Sequence, residues 1–205
     1  MKRALASALL VAAAGCAKPS GPARLSELRG PRLERGMPKP EFVLQRVDGT
    51  PFDFRRATRG TVTLLFFGYR NCPDVCPLHL ANMAWALRSL PDVDRQRVRV
   101  VFVTTDPARD TPDQLESWLS RFDASFIGLT GTPAQIEAAQ RSLGMAPAVQ
   151  EGELPQGGGY GITHMSQIWA FTPDDSAHVM YPFGVKREDL AADLRILTRG
   201  WSGPP

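Results

Sequence analysis

An almost unbroken apolar run from Thr61 to Phe67 ends at Gly68. Half-exposed strands alternate apolar and polar residues, so a continuous run of this length predicts a central strand covered on both faces. Arg97 to Thr104 reads the same way and predicts a second central strand. Between them, Leu80, Met83, Ala84 and Leu87 recur at helical spacing within Leu78 to Leu90, and Pro91 stops the run. Upstream, Glu41 to Val47 and Pro51 to Phe54 predict a hairpin about the turn Asp48-Gly49. Arg55 to Arg59 reads as a connector ending at Gly60.

Downstream, Thr111-Pro112-Asp113-Gln114 and Thr132-Pro133-Ala134-Gln135 are capping boxes with proline at the first helical position. They predict helices to about Phe122 and to Leu143, the second stopped by Gly144. A short strand, Ser125 to Leu129, lies between them. Gln150 to Ile162 is polar, carries Gly157, Gly158, Gly159 and Gly161, and predicts a surface loop. Ser166 to Phe171 and Ala177 to Tyr181 predict a hairpin. Lys186 to Thr198 predicts a last helix with Leu190, Leu194 and Leu197 on one face. This order predicts an α/β sandwich: a mixed central sheet flanked by helices, with an N-terminal β-hairpin. The active end lies where the first central strand passes into its helix.

The chain's first residues read as an export signal. Lys2 and Arg3 precede an apolar stretch, Ala4 to Ala14, that is too short to span a bilayer. It ends in Ala13-Ala14-Gly15-Cys16, which resembles the lipobox of bacterial lipoproteins, although leucine is commoner at the position of Ala13. That resemblance implies lipidation of Cys16 and a membrane-anchored domain on the periplasmic side. The alternatives are an ordinary signal cut near Ala17 and an uncleaved anchor. Residues 17–40, rich in Pro, Gly and Arg, read as a tether, 41–199 as the domain and 200–205 as a tail.

Loss of Lys2 and Arg3 leaves 22 basic against 21 acidic residues. A near-neutral chain does not bind nucleic acid by charge. Setting Cys16 aside leaves Cys72 and Cys76, so no disulfide framework exists, only one close pair.

That pair sits in LFFGYRNCPDVCP, Leu65 to Pro77, and three chemistries compete for it. A disulfide closing so short a loop stabilises by roughly 2 kcal/mol, against about 4.7 kcal/mol for a 100-residue loop, which weakens a purely structural role. A redox dithiol is the second reading, because a thiol at a helix N-terminus is biased toward thiolate. Here three residues separate the thiols, where thioredoxin-type motifs have two. The third reading is a soft-metal site, since two thiolates suit Cu(I) or zinc. It needs another ligand, and the chain has only His79, His164 and His178. The spacing places His79 on an exposed helix face, with the rim of the site as its alternative, and His178 in solvent beside a turn. It leaves His164, before a late strand, as an ordinary surface residue. Asp74 reads as the helix cap or as a hydrogen-bond acceptor that positions the motif loop, Trp85 as core packing, and Asp106 with Arg109 either as lining of the same sheet end or as a solvated ion pair in a turn. Tyr69 is a candidate to flank the site.

FFGYRNCPDVCP closely resembles the Sco (SenC) family of copper-binding proteins. So do Val101 to Pro107 followed by Arg109-Asp110-Thr111-Pro112, Phe126 to Thr132, and Tyr181-Pro182 to Leu194. The resemblance covers roughly Glu41 to Leu197. It implies a thioredoxin-like fold and copper, Cu(I) or Cu(II), bound by Cys72, Cys76 and His164. It also implies a role in assembling the binuclear copper centre of cytochrome c oxidase. The implied partners are the copper-bearing oxidase subunit, other copper chaperones or thiol reductants, and the membrane through the N-terminal lipid. The family usually has Asp before the histidine, a carboxylate able to orient the imidazole; this chain has Thr163. Thioredoxin-like oxidoreductases normally carry a proline opposite their thiols, and none lies between Pro155 and Pro173. The leading expectation is therefore a redox-gated copper chaperone, with a thiol-disulfide reductase as its rival. A zinc enzyme lacks an obvious general base, and a peroxidase lacks a separate resolving cysteine.

Overall fold

A computed structural model describes residues 25–153 and 159–199. The strands are β1 (Arg32–Pro38), β2 (Val43–Arg46), β3 (Pro51–Asp53), β4 (Val62–Gly68), β5 (Val98–Thr104), β6 (Ile127–Thr130), β7 (Val149–Glu153), β8 (Tyr160–Thr163), β9 (Ile168–Phe171) and β10 (Ser176–Tyr181). The helices are α1 (Phe54–Ala57), α2 (Val75–Arg88), α3 (Asp92–Arg95), α4 (Pro112–Ser120), α5 (Pro133–Arg141) and α6 (Arg187–Leu197). Eight strands form one mixed sheet in the order β1-β10-β9-β4-β5-β6-β2-β3. β4 pairs parallel with β5 and antiparallel with β9, and β5 pairs parallel with β6; the remaining pairs in this sheet are antiparallel.

The apolar runs occupy the middle, as their lack of alternation requires. Every residue of β4 is buried. Its side chains alternate between two cores. Leu64 and Phe66 pack with Leu80 and Met83 of α2, Leu115 of α4 and Leu194 of α6. Leu65 and Phe67 face the other way, with Phe54 of α1 and Ile136 of α5. The N-terminal hairpin β2–β3 extends the sheet beyond β6. The Thr132 capping box forms, with the hydroxyl accepting from the Gln135 backbone; Thr111 starts α4 without a side-chain cap.

Several elements lie where the sequence predicts none: β1, β7, β8 and the one-turn helices α1 and α3. β1 falls inside the stretch expected as tether and pairs with β10. Its residues are mostly exposed, so an edge strand here leaves no apolar alternation to read. Within the expected loop, β7 and β8 pair as a separate two-stranded ribbon. β7, exposed over residues 149–152, is mostly polar, and the four-residue β8, half-buried, is too short to announce itself. Cys16, Gly157 and Gly158 lie outside the described residues. Among those described, no helix is long and apolar enough to cross a membrane.

Candidate metal centre

β4 ends at Gly68, and residues 69–74 turn the chain into α2 at the carboxyl end of the parallel strands. The helix begins at Val75, earlier than its apolar periodicity, and so takes in Cys76 at its second position. The first turn of a helix has backbone N–H groups without intrahelical partners. The exposed Asp74 occupies the N-cap but makes no side-chain cap. Instead the Cys76 backbone N–H points at Cys72 Sγ, 3.5 Å away. Sulfur does what the aspartate was expected to do.

His164 follows β8 and sits against these sulfurs, with Nε2 3.6 Å from Cys76 Sγ. Its Nδ1 lies 3.1 Å from the carbonyl oxygen of Met165. Donation from Nδ1–H to that carbonyl leaves Nε2 for the sulfurs, or for a metal. The backbone carbonyl supplies the orientation that Thr163 does not: the Thr163 hydroxyl donates to Glu151 instead. The donor atoms of Cys72, Cys76 and His164 all lie within 4.8 Å of one another. Two soft sulfurs and one imidazole, close enough to converge on one ion, fit a soft cation.

Burial splits the two thiols. Cys76 has no exposed surface; Cys72 is half-buried. A hydrogen bond from Cys76 lowers the Cys72 pKa to about 3. Cys76, donating to that thiolate inside a dry core, is held far above the usual thiol range. Tyr69 flanks the site as expected, edge-on to His164 with ring centroids 5.8 Å apart.

The other histidines are both corrected. His79 is 1% exposed, not on an open helix face. Phe66 and Phe183 enclose it, with centroids at 5.1 and 5.9 Å, and burial lowers its pKa to about 4. His178 is 4% exposed rather than solvated, with Nε2 2.8 Å from Asp174 Oδ2. Asp106 and Arg109 are not a solvated pair either: Asp106 is buried and Arg109 lies over the Tyr160 ring. Trp85 is partly buried against the core, under the Arg187 guanidinium.

The sequence profile of SCO1/SenC matches residues 32–199. A putative copper-binding protein of Stutzerimonas stutzeri is 38% identical over 151 residues, covering 73% of this chain and 71% of that protein. Mitochondrial SCO2 of Saccharomyces cerevisiae is 39% identical over 97 residues, which is 47% of this chain but 32% of that longer protein. Apo Sco1 of Thermus thermophilus superposes with a TM-score of 0.72 at 30% identity, over 83% of this chain and 96% of that one. Copper-bound ScoI of Bradyrhizobium japonicum gives 0.66 at 31% identity, over 78% and 98%. BsSco, a member of the Sco family of cytochrome c oxidase assembly proteins with a disulfide switch, gives 0.60 at 25% identity, over 82% and 96%. The fold is that of these Sco proteins, and the chain belongs to the SCO1/SenC family.

Proposed function

We propose that this chain is a membrane-tethered, extracytoplasmic copper chaperone that supplies copper to the binuclear centre of cytochrome c oxidase. One observation carries the reading: two sulfurs and an imidazole nitrogen lie within 4.8 Å of one another. Copper-bound relatives with this fold support copper as the ion, and BsSco supports the oxidase as its destination. Cys72, Cys76 and His164 hold Cu(I), or Cu(II) with a further ligand. The tether is a lipid on Cys16, and the partner is the copper-bearing oxidase subunit.

Redox state gates the site. Joining the Cys72 thiolate to the Cys76 sulfur releases the single Cys76 proton and passes two electrons to a partner disulfide, which leaves as two thiols with a second proton from water, and both thiolate ligands are lost. Titration of the intact reduced chain with Cu(I) tests the binding step. One ion per chain is expected, weakened by alanine at Cys72, Cys76 or His164. Undiminished affinity in H164A removes His164 from the site. Mixing the loaded chain with copper-free oxidase subunit tests delivery.

The rival reading, a thiol-disulfide reductase, draws on the half-exposed Cys72 thiolate. Its sulfur would attack a client disulfide, and Cys76 would then displace the reduced client thiol. Client reduction unaffected by H164A would favour this rival.

A further inference from the structure

The β7–β8 ribbon stands outside the eight-stranded sheet, and His164 directly follows it. Whatever holds β8 therefore holds the third donor. Arg109 Nη1 donates to the carbonyl oxygen of Tyr160 at 3.0 Å. The same guanidinium stacks 3.6 Å from the Tyr160 ring centroid. The Tyr160 hydroxyl donates to Asp106 Oδ1 at 2.8 Å, and Asp106 Oδ2 accepts from Arg109 Nε. The acceptor of this triangle is closed to water and its other corners are half-buried: the Asp106 side chain is 3% exposed and that of Arg109 20%, with Tyr160 on the open side. Two residues on, the Ile162 N–H points at the Tyr69 hydroxyl, 3.4 Å away. Arg109 also lies over the Tyr69 ring at 5.9 Å.

The far end of the same loop grips the other half of the site. Asp110 Oδ2 accepts from the Arg70 backbone N–H at 3.0 Å and from the Thr104 hydroxyl at 2.7 Å. Arg70 lies two residues before Cys72. Residues 106–110 thus bracket the donor set, with Asp110 on the cysteine loop and Arg109 with Asp106 on the histidine ribbon.

We propose that Arg109 is a positioning residue for His164: by clamping Tyr160 it sets how firmly the imidazole is held against Cys72 and Cys76. The proposal rests on the copper reading above. A ribbon with few other ties must be ordered anew at each binding event, and that ordering subtracts from affinity. A planar guanidinium can stack and donate at once, which a lysine ammonium cannot reproduce. Residues that orient ligands from outside the coordination sphere typically change metal affinity by about 10–100-fold.

The test is a double-mutant cycle on Cu(I) affinity, read by competition with a chromophoric chelator. R109A should weaken binding about tenfold and H164A more. The double variant should match H164A within about twofold, because a clamp on an absent ligand has nothing to hold. An equal further loss from R109A in the H164A background overturns the proposal, since Arg109 would then act through the sulfurs or the whole fold. Absence of Cu(I) binding by the intact chain overturns the copper reading and the proposal with it; wild-type affinity in H164A, or a real H164A loss with additive R109A, overturns the proposal alone. A metal-free readout stands beside it. In the reduced apo chain, R109K and Y160F should speed amide exchange across Tyr160–Thr163 several-fold and leave β4 and β5 unchanged. Unchanged exchange in β8 overturns the proposal. If R109A does not fold, R109K carries the cycle.

Discussion

The backbone N–H of Cys76 points at the sulfur of Cys72 across 3.5 Å, so the two thiols share one helix start but not one environment. One is a half-exposed thiolate, its pKa lowered to about 3; the other is buried and protonated.

Selective alkylation follows from that split. A free thiol of ordinary pKa gains reactivity about tenfold per pH unit up to its pKa, because only the thiolate attacks. Cys72 is already ionised above about pH 4, so its labelling rate in the reduced, metal-free chain should be nearly flat from pH 5 to pH 8. Below about pH 3 it should fall. Cys76 should stay unlabelled until the fold opens. Iodoacetamide labelling followed by peptide mass spectrometry reads both. A steep rise for Cys72 between pH 6 and pH 9 contradicts the hydrogen bond from Cys76 as its stabiliser.

What the sequence reveals of this arrangement follows burial. β4 and β5 are buried on both faces, so their apolar runs announce them. The cysteine motif is continuous and its resemblance to a family is direct. His164 is different: a histidine after a short two-stranded ribbon carries no local signal, and only the family resemblance singles it out. The Arg109 clamp is invisible for another reason. Asp106 and Arg109 look like a turn with a surface ion pair, and nothing local says that Tyr160, 51 residues beyond Arg109, closes over them. β1 is missed because an edge strand with exposed charges has the composition of a tether.

Residues 29–39 are a structural part of the domain, and Asp193 is their anchor. This carboxylate has no exposed surface and accepts from the backbone N–H of Arg29 at 2.7 Å and of Gly30 at 2.9 Å. It also accepts from the Tyr181 hydroxyl at 2.9 Å. D193A leaves these donors without their acceptor, at a cost of roughly 3 kcal/mol. A chain cut to begin at Glu41 loses these contacts, β1, and the buried Lys39, whose Nζ lies 2.9 Å from Asp175. Urea unfolding should place D193A well below the intact chain and the cut chain lower still. Equal midpoints for the cut and intact chains would show that residues before 41 contribute nothing.

His79 should make the apo domain acid-sensitive. Burial lowers its pKa from 6.5 to about 4, so the unfolded chain binds the proton more tightly than the folded one. The stabilisation is complete above pH 6.5 and is lost as pH falls toward 4. Between pH 7 and pH 5 the loss is about 2 kcal/mol. H79L removes the titrating group and keeps an apolar side chain between Phe66 and Phe183. Unfolding of the reduced apo chain at both pH values should show the intact protein losing about 2 kcal/mol more than H79L. Identical pH dependence assigns the sensitivity to other groups.

Gly68 closes the strand that delivers the cysteines, and its missing side chain makes room for one of them. A Cβ added there would lie 2.8 Å from Cys76 Sγ, 3.0 Å from Phe66 and 3.1 Å from Phe102. Cys76 is fixed on the first turn of α2 and Phe66 is fully buried, so neither can step aside freely. G68A should cost roughly 1–3 kcal/mol in stability, the usual penalty for overfilling a packed core. It should also displace the Cys76 sulfur from His164 Nε2, so Cu(I) affinity should fall even at temperatures where the variant is fully folded. The comparison that isolates this is G60A, at a left-handed glycine with open space around its Cβ position. G60A should lose stability through backbone strain and keep wild-type copper affinity. Matched affinity losses in the two variants would mean that copper binding reports only overall stability, not the position of the Cys76 sulfur.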